Sequence, residues 1–357
     1  MRALLALFAL GGAVAACGGG GGGGAKETEA PKLSPVDERK AEKDAKGLVT
    51  EIAQTLGRAN TDGLMALLAE PLVVFGPRRT DALQTRTDAL VALRGTFDAM
   101  GKDAKPTVES GSLAVVASPG GLSAWAMDVA SVEGKPMSAL MVLSNDDDFW
   151  VVVAAGIAHT PSMREVRAEL KKDAIVPPGM PGFAKVTDSA EAAVDRFKSG
   201  LADPTPWADD MGKRSDAVVI GASDGDVTRG KKEIAKLWKK RAKVNVRHAS
   251  AGEITAATTA DGQLAWVTAP VVRFADDDEP LPLRLFSVFE KNEGQWKMIA
   301  LQESLALDEP GVGANFKKVT PPGVKAEEPP PKPKGEEAKP TKKKKKKKKK
   351  AKKSDDD

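Results

Sequence analysis

The chain has 357 residues, 41% of them hydrophobic and 29% charged, enough apolar material for two or three globular domains. Its formal charge of +4 comes from one end: residues 310–357 hold 17 lysines against 7 acidic residues, while the remainder holds 37 basic against 43 acidic. An acidic body does not imply a basic groove for nucleic acid, and none is expected in the folded part. A single cysteine excludes an intramolecular disulfide, and the absence of tyrosine removes one common general acid.

Met1 and Arg2 precede an apolar run from Ala3 to Leu10, closed by Val14-Ala15-Ala16-Cys17. The run is too short to span a bilayer and has the layout of a signal peptide, residues 1–16. Its last four residues resemble the lipobox of bacterial lipoproteins. The resemblance implies cleavage before Cys17 and attachment of acyl chains to it. The membrane lipid is then the first expected partner, because two or three chains anchor stably where one does not. Gly18 to Gly24 open a flexible tether over residues 17–33. By analogy with lipoprotein sorting, glycine rather than aspartate after the cysteine points to the outer membrane.

Ser34-Pro35-Val36-Asp37 reads as a helix start, and Leu48, Ile52 and Leu56 stripe the helix that follows. A short helix from Thr61, a strand over Leu72–Gly76 and a helix marked by Leu90, Leu93, Phe97 and Met100 come next. Four strand-like runs then follow from Lys105, broken by turns at 119–121, 133–136 and 145–148. This first domain spans 34–165, and a Pro/Gly-rich linker occupies 166–186.

The order repeats over 187–309. A helix carries Val194, Phe197 and Leu201, Thr205-Pro206 starts a second, and Ile234, Leu237 and Trp238 stripe a third. Strand-like runs fall at 243–249, 252–259, 264–274, 281–290 and 296–305. Matching words appear in the same order: Val73-Val74-Phe75-Gly76 with Val218-Val219-Ile220-Gly221, Thr85-Arg86 with Thr228-Arg229, Trp125 with Trp266, and Trp150 with Trp296. We read a tandem duplication of two separately folding domains. The fold class is α+β: two cone-shaped domains, each of three helices on a curved, mostly antiparallel sheet, with disordered termini. The succession of elements, with Phe149–Val153 and Ile157–Thr160 closing the first copy, resembles the SnoaL-like group of the nuclear-transport-factor-2-like (NTF2-like) superfamily. The second copy departs from it at Gln302-Glu303-Ser304.

The resemblance implies cones with an apolar mouth, in a superfamily of isomerases, cyclases, dehydratases and inactive members, so it leaves function open. Asp128, on the strand face of Ala124, Ala126 and Ala130, is the best candidate base, weighed against a solvent-facing position opposite Trp125 and Met127. His248, Trp125 and Trp266 complete a tentative pocket set. No residue is assigned as catalytic. No cofactor is expected, and no metal, because the ligand spacings are lacking. The leading expectation is an envelope lipoprotein with a non-enzymatic binding or scaffolding role. The alternative is an isomerase- or dehydratase-like enzyme acting on a small hydrophobic molecule in one cone. Residues 310–357 lack apolar periodicity and are expected to be disordered. Within them Lys342, Lys343, Lys344, Lys345, Lys346, Lys347, Lys348, Lys349 and Lys350 form a run suited to peptidoglycan or anionic lipid.

Overall fold

The computed structural model describes residues 35–76, 82–101, 105–146, 149–165, 187–276 and 278–305. Cys17, the glycine tether, the linker at 166–186 and Lys342–Lys350 lie outside the described residues.

The first half runs α1 (Pro35–Gly57), α2 (Thr61–Met65), β1 (Leu68–Phe75), β2 (Ala82–Leu83), α3 (Arg86–Met100), β3 (Val108–Ser110), β4 (Ala114–Ala117), β5 (Ser123–Val132), β6 (Lys135–Asp146) and β7 (Phe149–His159). After a short 3-10 turn at Asp188–Ala190, the second half runs α4 (Glu191–Ser199), α5 (Thr205–Met211), β8 (Val218–Ile220), β9 (Val227–Arg229), α6 (Lys231–Lys243), β10 (Arg247–Ser250), β11 (Thr255–Thr258), β12 (Leu264–Ala275), β13 (Asp278–Asn292) and β14 (Gln295–Ser304). Local chemistry sets several of these boundaries. The Asn60 side chain accepts from Gly63 N at 3.0 Å to start α2, and Thr85 Oγ1 accepts from Asp88 N at 3.0 Å to start α3. Strand β1 begins four residues before the predicted Leu72. Its pairing with β7 jumps between Leu68 and Val73, the stretch that contains Pro71, which has no N–H to donate.

Each half forms a seven-stranded sheet, and the strand order is the same in both. The first is β2-β1-β7-β6-β5-β3 with β4 also on β5; the second is β9-β8-β14-β13-β12-β10 with β11 also on β12. Among the described residues, only the β1–β7 and β8–β14 pairs are parallel. The two long hairpins carry an extra residue at equivalent places, Val153 between the partners of Val142 and Leu143, and Ile299 between those of Val288 and Phe289. Such bulges bend and twist a strand, which curves both sheets around their helices. Pairing register confirms Trp125 with Trp266 and Trp150 with Trp296 as equivalent positions. It does not confirm Thr85-Arg86 with Thr228-Arg229: Leu83, not Thr85, sits where Thr228 does.

Three apolar clusters hold the body together. One lies under the helices of the first half, with Ala45, Leu48, Leu93, Phe97, Ala124 and Leu143 among its members. A second lies under the helices of the other half, around Phe197, Trp207, Met211, Trp238 and Phe289. The third joins the two sheets face to face: Phe75, Trp125, Met127, Leu140, Val142 and Ala154 meet Val218, Ile220, Leu264, Trp266, Phe286, Val288, Ile299 and Ala300. Within it Trp266 stacks on Phe286 at 6.2 Å, and Phe75 approaches both rings at 6.4 and 6.3 Å. Full burial of a large apolar side chain is worth about 1.5–3 kcal/mol, so this seam is a principal source of stability. The sequence predicts a separate core in each half; each half has one, and the two share a third.

Polar groups lock the seam. Gln302 Nε2 donates to Ser138 Oγ at 2.9 Å, Arg284 Nη1 to the Gly76 carbonyl at 2.8 Å, and Ser123 Oγ to Asp261 at 2.8 Å. Gly156 is a point of close approach between the sheets. A Cβ there would lie 2.5 Å from Gln302 Oε1 and 2.9 Å from Phe286 Cβ. Gly156→Ala should therefore lower stability by about 1–3 kcal/mol through overpacking. Gly47→Ala, in helix α1 where an added Cβ meets nothing within 4 Å, should raise it by up to about 1 kcal/mol. Urea unfolding midpoints measure both, and an unchanged midpoint for Gly156→Ala would contradict the seam as described.

Candidate functional site

The strongest concentration of buried charge lies under the helices of the second half. The bulge in β14 leaves Leu301 facing the helices, turns Gln302 toward the other sheet and returns Glu303 to the helix side. Glu303 has no exposed surface. Its Oε1 accepts from Arg241 Nη1 at 2.7 Å, and its Oε2 from Arg273 Nη1 at 2.9 Å. Arg241 reaches in from the C-terminal half of α6, with its guanidinium 5.0 Å from the Trp238 ring centroid. Arg273 stands on β12 directly across from His248 on β10.

His248 is also fully enclosed. Its Nε2 lies 3.8 Å from Glu303 Oε1, beyond hydrogen-bond length, and its ring centroid lies 5.6 Å from that of Trp207. Neither ring nitrogen has a hydrogen-bond partner among the described residues. Trp207 is itself fixed by its indole N–H donating to the Phe197 carbonyl at 3.1 Å. It presses so closely on Gly200 that a Cβ there would lie 2.1 Å from the indole nitrogen. Asp210, one turn along α5, receives Arg196 at 2.6 and 2.8 Å and the Met298 amide at 3.1 Å, tying α4, α5 and β14 together.

These contacts determine the protonation states. Burial alone would push the Glu303 carboxyl up; the positive charges of Arg241 and Arg273 more than offset it and hold the group at about 2. Burial pushes His248 down to about 3, and the attraction of Glu303 only partly opposes it. Asp226, at the end of the loop before β9, is shifted upward by desolvation and by the Glu303 charge. At neutral pH the cluster therefore holds a committed carboxylate and an uncharged imidazole, neither reachable from solvent. On the outer side of Arg241 a cavity of about 220 Å³ is lined by Asp203, Trp238, Asn245 and Arg247 among others.

The first half has no counterpart to this cluster. Where His248 pairs with Arg273, Val108 pairs with Val132, and Ile157 stands at the position of Glu303. Its own notable feature is a cleft of about 450 Å³ between α1 and the β3–β4 segment, lined by Val49, Ala53, Leu113 and Asp128 among others. Asp128 is 8% exposed. It shares the helix-side face with Ala124 and Ala126, so the solvent-facing position weighed for it is excluded. Trp125 and Trp266 lie on the opposite sheet faces, in the seam; Trp266 also borders a groove of about 580 Å³ beside Val151 and Val153. Asp128, His248 and the two tryptophans thus occupy three separate places and do not form one site.

Sequence reasoning missed Glu303, Arg241, Arg273 and Asp226. The available signal was a charged residue at an inward position of an apolar strand, as in Val271-Val272-Arg273-Phe274 and Leu301-Gln302-Glu303-Ser304. Among the described residues no group of His, Cys, Asp and Glu side chains is arranged to hold a metal ion. No helix among them is long and apolar enough to cross a membrane.

Residues 207–308 match the family model of the SnoaL-like domain. Among solved structures, the chain is similar to an NTF2-like protein of unknown function from Pseudomonas putida KT2440, at 16% identity over 36% of this chain and 92% of that one, with a TM-score of 0.32. It is also similar to a domain of unknown function with a cystatin-like fold from Nostoc punctiforme, at 15% identity over 47% and 98%, with a TM-score of 0.31. No curated protein matches the chain.

The cluster generates a pH dependence. His248 binds a proton more weakly folded than unfolded, so the unfolded chain gains a proton as pH falls through its ordinary value of 6.5. Stability should be fully present above that value and decline toward about pH 5, a window above the ordinary carboxylate range. His248→Leu or His248→Gln should flatten the slope of unfolding free energy against pH in that window. A wild-type slope of zero there would contradict a neutral, enclosed imidazole.

Proposed function

We propose that this chain is an exported lipoprotein, anchored to the cell envelope through acylated Cys17, whose two SnoaL-like domains arose by tandem duplication and serve a binding or scaffolding role. One observation carries the non-enzymatic reading. The acid best placed for chemistry in the second half, Glu303, is fully enclosed and bound by two guanidiniums at 2.7 and 2.9 Å. A general base must reach its substrate and must be free to take the proton; Glu303 meets neither requirement. The helix-side interior around it is packed with Phe197, Trp207, Trp238 and Phe289, and the cavity of about 220 Å³ nearby is lined by Arg241 and not by Glu303.

In this reading the acyl chains at Cys17 insert in a membrane, the outer membrane by preference. The run Lys342–Lys350 contacts an anionic envelope surface, peptidoglycan or lipid, through charge alone. A second reading rests on the cleft of about 450 Å³ beside Asp128, which makes the first half an enzyme on a small hydrophobic molecule with Asp128 as base. Asp128→Asn separates the two: the scaffold reading expects it to leave any phenotype of the protein unchanged, and the enzyme reading expects complete loss with folding intact.

Mass spectrometry of the mature N-terminus should find acylated Cys17, and Cys17→Ser should release a soluble or unprocessed form. An unmodified N-terminus elsewhere would remove the anchor from the proposal. Binding to purified peptidoglycan should disappear on truncation at Lys339 and weaken steeply with ionic strength; binding that survives both would place the contact in the folded body.

A further inference from the structure

The outer face of α6 carries charge that the fold does not require. Lys231, Lys232, Lys236, Lys239, Lys240 and Lys243 are all exposed, while Ile234, Trp238 and Arg241 are turned inward. At 100° per residue the lysines from 232 to 243 fall within roughly a third of the helix circumference, opposite the buried stripe. The only acidic residue on the helix is Glu233, which is paired to Lys236 at 2.8 Å. Nearby acidic side chains belong to flanking elements: Asp203 and Asp209 on the α5 side, Asp224 and Asp226 ahead of β9.

Helix stability accounts for only part of this stripe: Lys240 and Lys243 suit the C-terminal turn and Lys236 pairs with Glu233. Lys231 and Lys232 stand in the first turn, where the macrodipole disfavours cations, and no side chain caps that end. Lys232 with Lys236, Lys236 with Lys240, and Lys239 with Lys243 are like-charge pairs four residues apart, a spacing that repels. The equivalent helix of the first half, α3, shows what the fold needs there: a Thr85 cap, Asp88 in the first turn, and Arg94 paired with Asp62 of α2 at 2.6 Å. The folded body as a whole leans acidic, so the patch stands against its surroundings.

We infer that the outer face of α6 is a docking surface for the anionic headgroups of a lipid bilayer. This rests on the envelope reading above. Lysine presents a compact charge without the planar fork that suits bidentate recognition, and the one arginine of the helix is turned inward. Nor does the face offer an exposed aromatic ring on which a base would stack, since Trp238 is buried. Point charges along a straight face about 20 Å long suit a flat, diffuse anionic surface better than a structured ligand. With the tail lysines, α6 would give the body a second electrostatic contact and hence a fixed orientation on the membrane.

The test uses the full chain carrying Cys17→Ser, so that no acyl anchor contributes, and with Lys342–Lys350 changed to glutamine. Sedimentation with phosphatidylcholine vesicles containing about a third phosphatidylglycerol measures partitioning, against pure phosphatidylcholine. Each lysine near an anionic surface contributes roughly fivefold. Lys232→Gln, Lys236→Gln, Lys239→Gln and Lys243→Gln together should therefore reduce partitioning more than about a hundredfold, and the four Lys→Arg changes should preserve it. Thermal melting confirms that each variant is folded; the positions are exposed and the substitutions relieve repulsion. Partitioning that is unaffected by the glutamine changes, or absent before they are made, overturns the inference. So does tighter binding to a short DNA duplex than to the vesicles at equal ionic strength. None of these outcomes bears on whether Cys17 is acylated, so the anchor stands or falls separately.

Discussion

The face-to-face contact between the two sheets is the constraint on which the rest of the body depends. A curved sheet that packs helices on one face leaves the other apolar face to be covered, and here each half covers the other. The consequences reach individual residues. Strands β5, β6, β12 and β13 must be apolar on both faces, so Trp125, Met127, Leu140 and Val142 alternate with Ala124, Ala126, Met141 and Leu143 without a polar face between them. Gly156 must lack a side chain because Phe286 and Gln302 occupy its space. Two polar side chains that fall in the seam find partners across it, Gln302 on Ser138 and Arg284 on the Gly76 carbonyl, while the Trp125 indole N–H is buried there without one among the described residues.

With the seam fixed, the two interiors under the helices differ. The first is largely apolar, with a cleft beside Asp128. The second holds a carboxylate and two guanidiniums, a costly arrangement unless the charges are paired. One Glu303 carboxylate receives both guanidiniums and joins the C-terminal half of α6, the end of β12 and β14 through two short ion pairs, with Asp226 within electrostatic reach of the same arginines. The cost is specific to this geometry. Removing the carboxylate alone would leave two cations without the anion that pairs them, while His248, already neutral, contributes shape and contact with Trp207 rather than charge. Such a cluster holds an interior in one arrangement, and its energetics resemble those of a structural element more than those of a reactive one.

Element order and strand positions were legible because local signals carry them: caps at Thr85, stripes such as Val194-Phe197-Leu201, and turns at Gly120 and Gly134. The equivalence of Trp125 with Trp266 was legible for the same reason. Strand faces were not. Alternation is ordinarily read as core against water, and that reading placed Asp128 in solvent opposite Trp125. The residues that pointed elsewhere were the unbroken apolar runs, Leu140 to Leu143 and Leu264 to Val267, which belong to strands buried on both faces. The ion cluster was illegible for a different reason. His248 and Glu303 lie 55 positions apart in the chain and meet only because β10, β12, β13 and β14 are neighbours in one sheet. A short word match between loops, Thr85-Arg86 with Thr228-Arg229, failed because turn residues shift freely once the paired strands fix the register.

What remains on the surface follows from what the seam and the cluster remove. Both sheet faces are largely used, one against helices and the other against the partner sheet, which leaves the groove of about 580 Å³ beside Val151, Val153 and Trp266 as an open stretch of the seam. The second interior is filled. The other surfaces left are the outer sides of the two helical layers, which lie on opposite sides of the seam, and they differ in kind. The first presents a cleft with an acid at its wall; the second presents the lysine stripe of α6. Two halves of one architecture thus offer two unlike helical sides, because the contact that joins them covers most of the sheet faces they have in common.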